Sequence, residues 1–212
     1  IAIGGVEYGR AADVDADMVE ISERADDIAL KSEALRAQGS THFWSGRVEA
    51  ARTIMRAALA FRPPAGSTEI SLVQNTEVAT RGILAWANAY AGDATGARAE
   101  AATAIALADG GLPPFTRAYA YGAAMWTAFY LNDPIAALPA SLTARDLCLE
   151  RGFDLLATAA QAVHGWARAA TGDMGGLQEV TTAISAWRSG GHSIGVPAFL
   201  LVQARSELIA GD

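Results

Sequence analysis

Three stretches of this 212-residue chain repeat one another: Trp86-Ala87-Asn88-Ala89-Tyr90-Ala91-Gly92-Asp93, Trp126-Thr127-Ala128-Phe129-Tyr130-Leu131-Asn132-Asp133 and Trp166-Ala167-Arg168-Ala169-Ala170-Thr171-Gly172-Asp173. The tryptophans stand 40 residues apart, and so do the Gly/Asn-Asp pairs. A fixed period of this length marks stacked supersecondary units, each too small to bury its own apolar face. Weaker copies, Trp44-Ser45-Gly46-Arg47 upstream and Ala210-Gly211-Asp212 at the end, lie 46 and 39 residues from their neighbours, which makes about five units.

The Gly-Asp pair explains what each copy does. Gly, or less often Asn, takes the left-handed conformation just past a helix end, and Asp caps the next helix by accepting a backbone N–H bond. Gly92, Asn132 and Gly172 suit the first task and Asp93, Asp133 and Asp173 the second. Helical periodicity runs into and out of each corner, and strand signals are absent. Small residues fall where two helices of one unit must approach: Ala51 and Ala58, Ala97 and Ala104, Ala137 and Ala144, each pair seven apart on one face. Gly39, Ala85, Gly165 and Ala204 hold the matching place on the preceding helices. Breaks at Arg62–Gly66, Gly110–Pro114 and Ser189–His192 separate the units, as proline and glycine demand.

The pattern predicts helices over 14–23, 26–44, 48–61, 69–91, 94–108, 115–131, 135–150, 154–171, 175–188 and 197–210. Pro139 conflicts with its helix, because an interior proline costs on the order of 3 kcal/mol. That helix is expected to start late, near Leu138, or to kink. The fold class is therefore all-α, read as one repeat domain over residues 1–212.

Composition narrows the function. With 51% hydrophobic and 18% charged residues the chain is too apolar for a disordered tail. Polar residues nevertheless interrupt every apolar run before the roughly 18 residues a membrane-spanning helix needs. A net charge of -7 works against binding a phosphate backbone, which needs clustered Lys and Arg. The single cysteine, Cys148, allows no internal disulfide and reads as a small buried hydrophobe. No signal peptide is evident. A cytoplasmic location is expected. The chain starts at Ile1 and stops in what reads as the middle of a repeat, so the expectation is a piece of a larger protein.

A small residue before the corner, Gly-Asp at the corner and two Ala seven apart after it resemble the tetratricopeptide repeat. The 40-residue period exceeds that family's usual length and is similar to the longer variant in large bacterial regulators that join an ATPase to a nucleotidyl cyclase or LuxR-type output domain. The stretches that carry this are Ala34–Gly39 through Trp44–Arg52, Arg151–Phe153 through Gly165–Ala167, Ala186–Gly191 and Val196–Leu200. The resemblance implies a right-handed α-solenoid of about five antiparallel helix pairs with a coupling role in bacterial signal transduction. No output segment accompanies it.

Catalytic and metal motifs fail on context. Gly191-His192-Ser193-Ile194-Gly195 fits the G-x-S-x-G elbow, which needs a strand before the serine, whereas a helix ends at Ala186–Arg188. Asp13, Asp15 and Asp17 alternate like an EF-hand loop, but Met18 and Arg24 stand where Gly and Glu are required. A solvated acidic helix start is the simpler reading. His42, His164 and His192 lie on different units without metal-ligand spacing. No phosphate loop and no catalytic carboxylate pair stand out. The chain reads as a non-enzyme without cofactor or metal.

What remains is binding. Stacked helix pairs curve, and the first helix of each pair lines the concave side. The tetratricopeptide pattern places Trp86, Trp126 and Trp166 there, with Ala79, Tyr119 and Ala159 seven residues earlier. Gly82, Gly122 and Ala162 belong to the same lining, as do Tyr90, Phe129 and Tyr130. Arg36 and Arg168 either add charge there or are solvated surface residues. The candidate groove for a protein, peptide or small-molecule effector is thus Trp86, Tyr90, Tyr119, Trp126, Phe129, Tyr130 and Trp166. The competing reading is that the tryptophans wedge neighbouring repeats together, making the chain a scaffold or homo-oligomerisation domain with no ligand. Neither reading invokes nucleic acid or membrane.

Overall fold

The computed structural model describes residues 8–61, 75–190 and 195–211. Among them lie ten α-helices and no strand: α1 Tyr8–Ala25, α2 Ile28–Trp44, α3 Val48–Ala60, α4 Thr76–Tyr90, α5 Ala94–Asp109, α6 Pro114–Tyr130, α7 Pro134–Arg151, α8 Asp154–Ala170, α9 Gly175–Ser189 and α10 Val196–Ala210. The chain divides at Leu112/Pro113 into two compact units, with α1–α5 in unit 1 and α6–α10 in unit 2. Consecutive helices pack as neighbours within each unit. The first helices of successive pairs also touch, α2 with α4 in unit 1, and α6 with α8 and α8 with α10 in unit 2. None of the described helices is long and apolar enough to cross a membrane.

The corners form as their residues dictate. Gly92, Asn132 and Gly172 have φ of 81°, 54° and 101°, in the left-handed region. Asp93 then accepts from the Gly96 N–H at 2.8 Å, and Asp133 from the Ala136 N–H at 3.1 Å. Asp173 accepts from the Gly175 N–H at 3.1 Å, one residue outside the formal cap, which is Met174. The upstream corner keeps its glycine, Gly46 with φ 80°, but Arg47 follows it and gives no side-chain cap.

Three helix starts differ from expectation. Helix α4 begins at Thr76, because the Asn75 side chain caps it by accepting from the Val78 N–H at 3.0 Å, so residue 75 of the predicted span 69–91 is not helical. The first helix begins at Tyr8, six residues before the predicted start, so Asp13, Asp15 and Asp17 lie inside it, and Asp15 faces the interior. An acidic helix start is therefore the wrong description of that triplet. Helix α7 begins at Pro134 and continues through Pro139. The late start near Leu138 is corrected: Pro134 suits a first helical position. The carbonyl that Pro139 leaves without a helical donor belongs to Ile135, whose side chain is exposed, on the helix's first turn. The break at Arg62–Gly66 and the predicted helical residues 69–74 fall outside the described residues.

The small residues are buried as their spacing implies. Ala51, Ala58, Ala97, Ala104, Ala137 and Ala144 are all in the core. Across the α8–α9 contact a Cβ on Gly165 would stand 2.7 Å from the Gly176 carbonyl oxygen, and one on Gly176 would stand nearer still to the Gly165 carbonyl oxygen. Backbones this near admit hydrogen and little else, which is what fixes the pair's geometry. Cys148 is buried against Ala118, Ala157 and Phe153, and burial pushes its thiol up to about 11.

Candidate aromatic site and its ionic frame

The in-register tryptophans have three different surroundings. Trp166 is 2% exposed and its ring meets Phe129 edge-on at 4.8 Å, with Phe129 wholly buried. Trp86 is 8% exposed and packs against Phe43 and Trp44, each at 6.0 Å. These three rings, Trp86, Phe129 and Trp166, are core. A buried ring excludes water from its neighbours, and truncating one costs about 3–5 kcal/mol.

Trp126 is half-buried. It stacks on Tyr130 at 5.7 Å with an interplanar angle of 24°, and meets Phe129 edge-on at 5.5 Å and Phe199 at 6.0 Å. Tyr119 and Tyr130 are also half-buried, and Tyr90 is 56% exposed with its ring against Phe43 at 5.8 Å. Of the remaining positions assigned to the groove, Ala79, Gly82, Ala159 and Ala162 are buried, and Gly122 is half-buried. The aromatic positions accessible to a ligand are thus Tyr90 in unit 1, and Tyr119, Trp126 and Tyr130 in unit 2.

Sequence reasoning missed part of this cluster. Phe199 and Trp187 stack at 4.0 Å beside Trp126. The Arg205 guanidinium lies 4.5 Å from the Phe129 ring centroid and 5.8 Å from that of Trp166, and it donates to the Phe129 carbonyl. A cation over two aromatic faces is attracted by their quadrupoles. Counting from the last corner glycine shows where Arg205 stands: six residues before Gly211, as Trp166 stands six before Gly172. The repeat register carried that signal, though the residue type hid it. By the same count the upstream equivalent of Trp86 is Ser40, and Trp44 corresponds to Tyr90.

Ionic contacts frame both units. In unit 2 Glu179 of α9 meets His164 Nδ1 at 3.0 Å, Arg168 at 2.9 Å and Arg145 at 3.5 Å. Arg168 also reaches Asp173 at 2.7 Å. That hydrogen bond, with a second from the Gly175 N–H, holds the Asp173 carboxyl below its usual range. In unit 1 Arg81 bridges Glu77 at 2.7 Å and Glu100 at 2.6 Å, while Arg36 pairs with Glu33. Arg36 and Arg168 are therefore both committed to internal pairs. His42 accepts from Arg47 Nε at 2.9 Å, and burial followed by the Arg47 charge holds it below its usual value.

Among the described residues no three His, Cys, Asp or Glu side chains lie close enough to hold a metal ion. His192 and Ser193 fall outside the described residues. The helix expected before them, α9, is present and ends at Ser189. No protein-family model matches the chain, and no curated protein matches it.

Proposed function

We propose that this chain is a non-catalytic binding module built as a right-handed, tetratricopeptide-like solenoid, which captures a protein or peptide in the bacterial cytoplasm and passes that event to a regulatory output. One observation carries the reading: the half-buried Trp126–Tyr130 stack, held on one side by buried Phe129 and by Phe199. Rings fixed by a core yet reachable from outside bring large contact area at low entropic cost, which is how aromatic anchors dominate binding. The left-handed corners and the contacts between successive first helices support the repeat architecture.

The scaffold reading keeps one specific support, the burial of Trp86, Phe129 and Trp166, which assigns those three rings to packing. The two readings separate at Trp126. A photo-crosslinking phenylalanine placed at Tyr130, with exposed Leu149 as the control position, identifies what contacts the stack. Affinity for the purified partner is then compared between the natural chain and Trp126→Ala. At least about tenfold weaker binding, with helicity by circular dichroism unchanged, is expected. A folded variant with unchanged affinity overturns the aromatic site.

A further inference from the structure

Helix α7 of unit 2 carries an apolar stripe on its outside. Ile135, Leu142 and Leu149 stand seven apart, a spacing that returns to the same side of a helix, and they are exposed by 76%, 41% and 62%. The stripe points away from the buried side of the helix, which is Ala137, Ser141, Ala144 and Cys148. Stepping 40 residues in either direction carries the three positions to Thr95, Ala102 and Asp109 on α5 and to Gly175, Thr182 and Ser189 on α9. The repeat itself therefore does not call for large apolar side chains there. Nor is α7 an end of the chain, since α6 and α8 both pack against it. A row of exposed large apolar residues confined to one helix marks a surface that another helix covers.

We infer that this stripe is a self-association surface: a second copy of the chain packs its α7 against the first, in parallel, about a twofold axis that runs along the two helices. Charge selects the occupant and its direction. With 3.6 residues per turn, Arg145 falls about 60° to one side of Leu142 and Asp146 about 40° to the other. A parallel twofold brings the left flank of each helix against the right flank of its counterpart at the same height. Arg145 of one copy then meets Asp146 of the other, twice, and Leu138 meets Pro139 in the same way. Ile135, Leu142 and Leu149 each meet their own counterpart. The seam is thus its own complement, apolar against apolar and cation against anion. Within one copy Arg145 donates to Asp146 through Nε and Nη2, each at 3.1 Å, and lies 3.5 Å from Glu179 and from His164. An antiparallel pair would instead set Arg145 over Leu138 and Asp146 over Pro139, which takes charges from water without a new partner. The inference is independent of the aromatic site, because Trp126 and Tyr130 belong to α6.

One helix pair makes a small interface, so sedimentation equilibrium of the whole chain from about 10 µM to about 1 mM should show a mass that rises with concentration towards that of a dimer. Leu142→Asp should keep the helicity, since the position is exposed, and weaken association at least about a hundredfold. Asp146→Arg should weaken it at least about tenfold, because like charges then face each other across the seam. Trp126→Ala should leave association unchanged, and the photo-crosslinker at Leu149 should join two copies of the chain. Direction is read from Ile135→Cys, which parallel copies bring together and antiparallel copies hold apart. Under mild oxidation it should form a disulfide-linked dimer faster than Thr182→Cys on α9. A chain that stays monomeric at the highest concentration overturns the proposal and leaves the stripe to a different protein. Association that survives Leu142→Asp overturns it as well, and so does an Ile135→Cys chain that links no faster than the control.

Discussion

Unit 1 and unit 2 join their helix pairs with different materials. In unit 1 the close approach is Gly39 of α2 against the side chain of Met55 on α3: a Cβ on Gly39 would stand 2.9 Å from the Met55 terminal methyl. In unit 2 it is backbone on backbone, Gly165 against the Gly176 carbonyl at 2.7 Å. The ionic contacts are inverted as well. Unit 1 sets one cation, Arg81, between the carboxylates of Glu77 and Glu100, and unit 2 sets one carboxylate, Glu179, among Arg145, His164 and Arg168. A methionine side chain can change rotamer and a peptide plane cannot, so the first contact yields where the second is fixed. Counted from the corner glycine, Gly39 and Gly165 hold one place, before Gly46 and Gly172 respectively, whereas Arg81 has no equivalent among Arg145, His164 and Arg168, so the repeat keeps the site of the close approach and leaves that of the ion pairs free.

The comparison breaks most readily at the glycines. Gly165→Ala should destabilise unit 2 by about 3 kcal/mol, since added volume must push two backbones apart. Gly39→Ala should cost under about 1 kcal/mol, because Met55 moves aside and alanine favours the helix. Urea unfolding of both variants checks this, and equal costs would show that the two approaches are equally rigid. A smaller effect is expected from the ionic frame. Glu179→Gln leaves the Arg145 and Arg168 guanidiniums beside His164 without their carboxylate at a nearly buried position and should cost about 2 kcal/mol. Glu100→Gln leaves Arg81 its Glu77 partner, is more exposed, and should cost about 0.5 kcal/mol. Parity between them would mean that the sign of the frame is immaterial.

How far the sequence could be read follows from which contacts are local. Corners are local: a left-handed residue and a cap three residues on are written in adjacent letters, so Gly92-Asp93, Asn132-Asp133 and Gly172-Asp173 were legible, as were the Ala pairs seven apart. The start of α1 was not, because the sequence before Tyr8 contains no Ser, Thr, Asp or Asn to announce a helix, and three aspartates further on imitate a helix beginning. Pro139 misled for a related reason, since propensity prices an interior proline without knowing that its lost bond falls in an exposed first turn. The aromatic site was legible by position and illegible by burial. Trp86, Trp126 and Trp166 share a register, yet what covers each ring comes from elsewhere in its unit: Phe43 and Trp44 for the first, Phe199 beside the second, Phe129 and Arg205 around the third. Period alone cannot decide between groove and core.

The two units also differ in how each treats a carboxylate taken from water. Glu179 is paired with Arg145 and Arg168, whereas Asp15 of α1, 6% exposed, has a hydrogen bond from Thr41 and one oxygen, Oδ2, without a hydrogen-bond partner among the described residues. Burial raises its pKa, and the Thr41 bond and the charges of His42 and Arg36 offset that only in part. A folded-state value above the unfolded one means that ionisation is harder in the folded chain. The penalty is absent below the usual carboxylate range, grows as pH rises through the folded-state value, and is fully present at neutral pH. Asp15→Asn keeps a group able to bond Thr41 and removes the charge. It should therefore stabilise unit 1 by about 1 kcal/mol at pH 7, an advantage that shrinks as pH falls towards and below the ordinary carboxylate range. Denaturant midpoints of the two proteins across that range measure the gap directly. A gap that stays constant with pH would assign the effect to packing instead of charge, and a destabilised variant would mean that the ionised carboxylate holds α1 on α2.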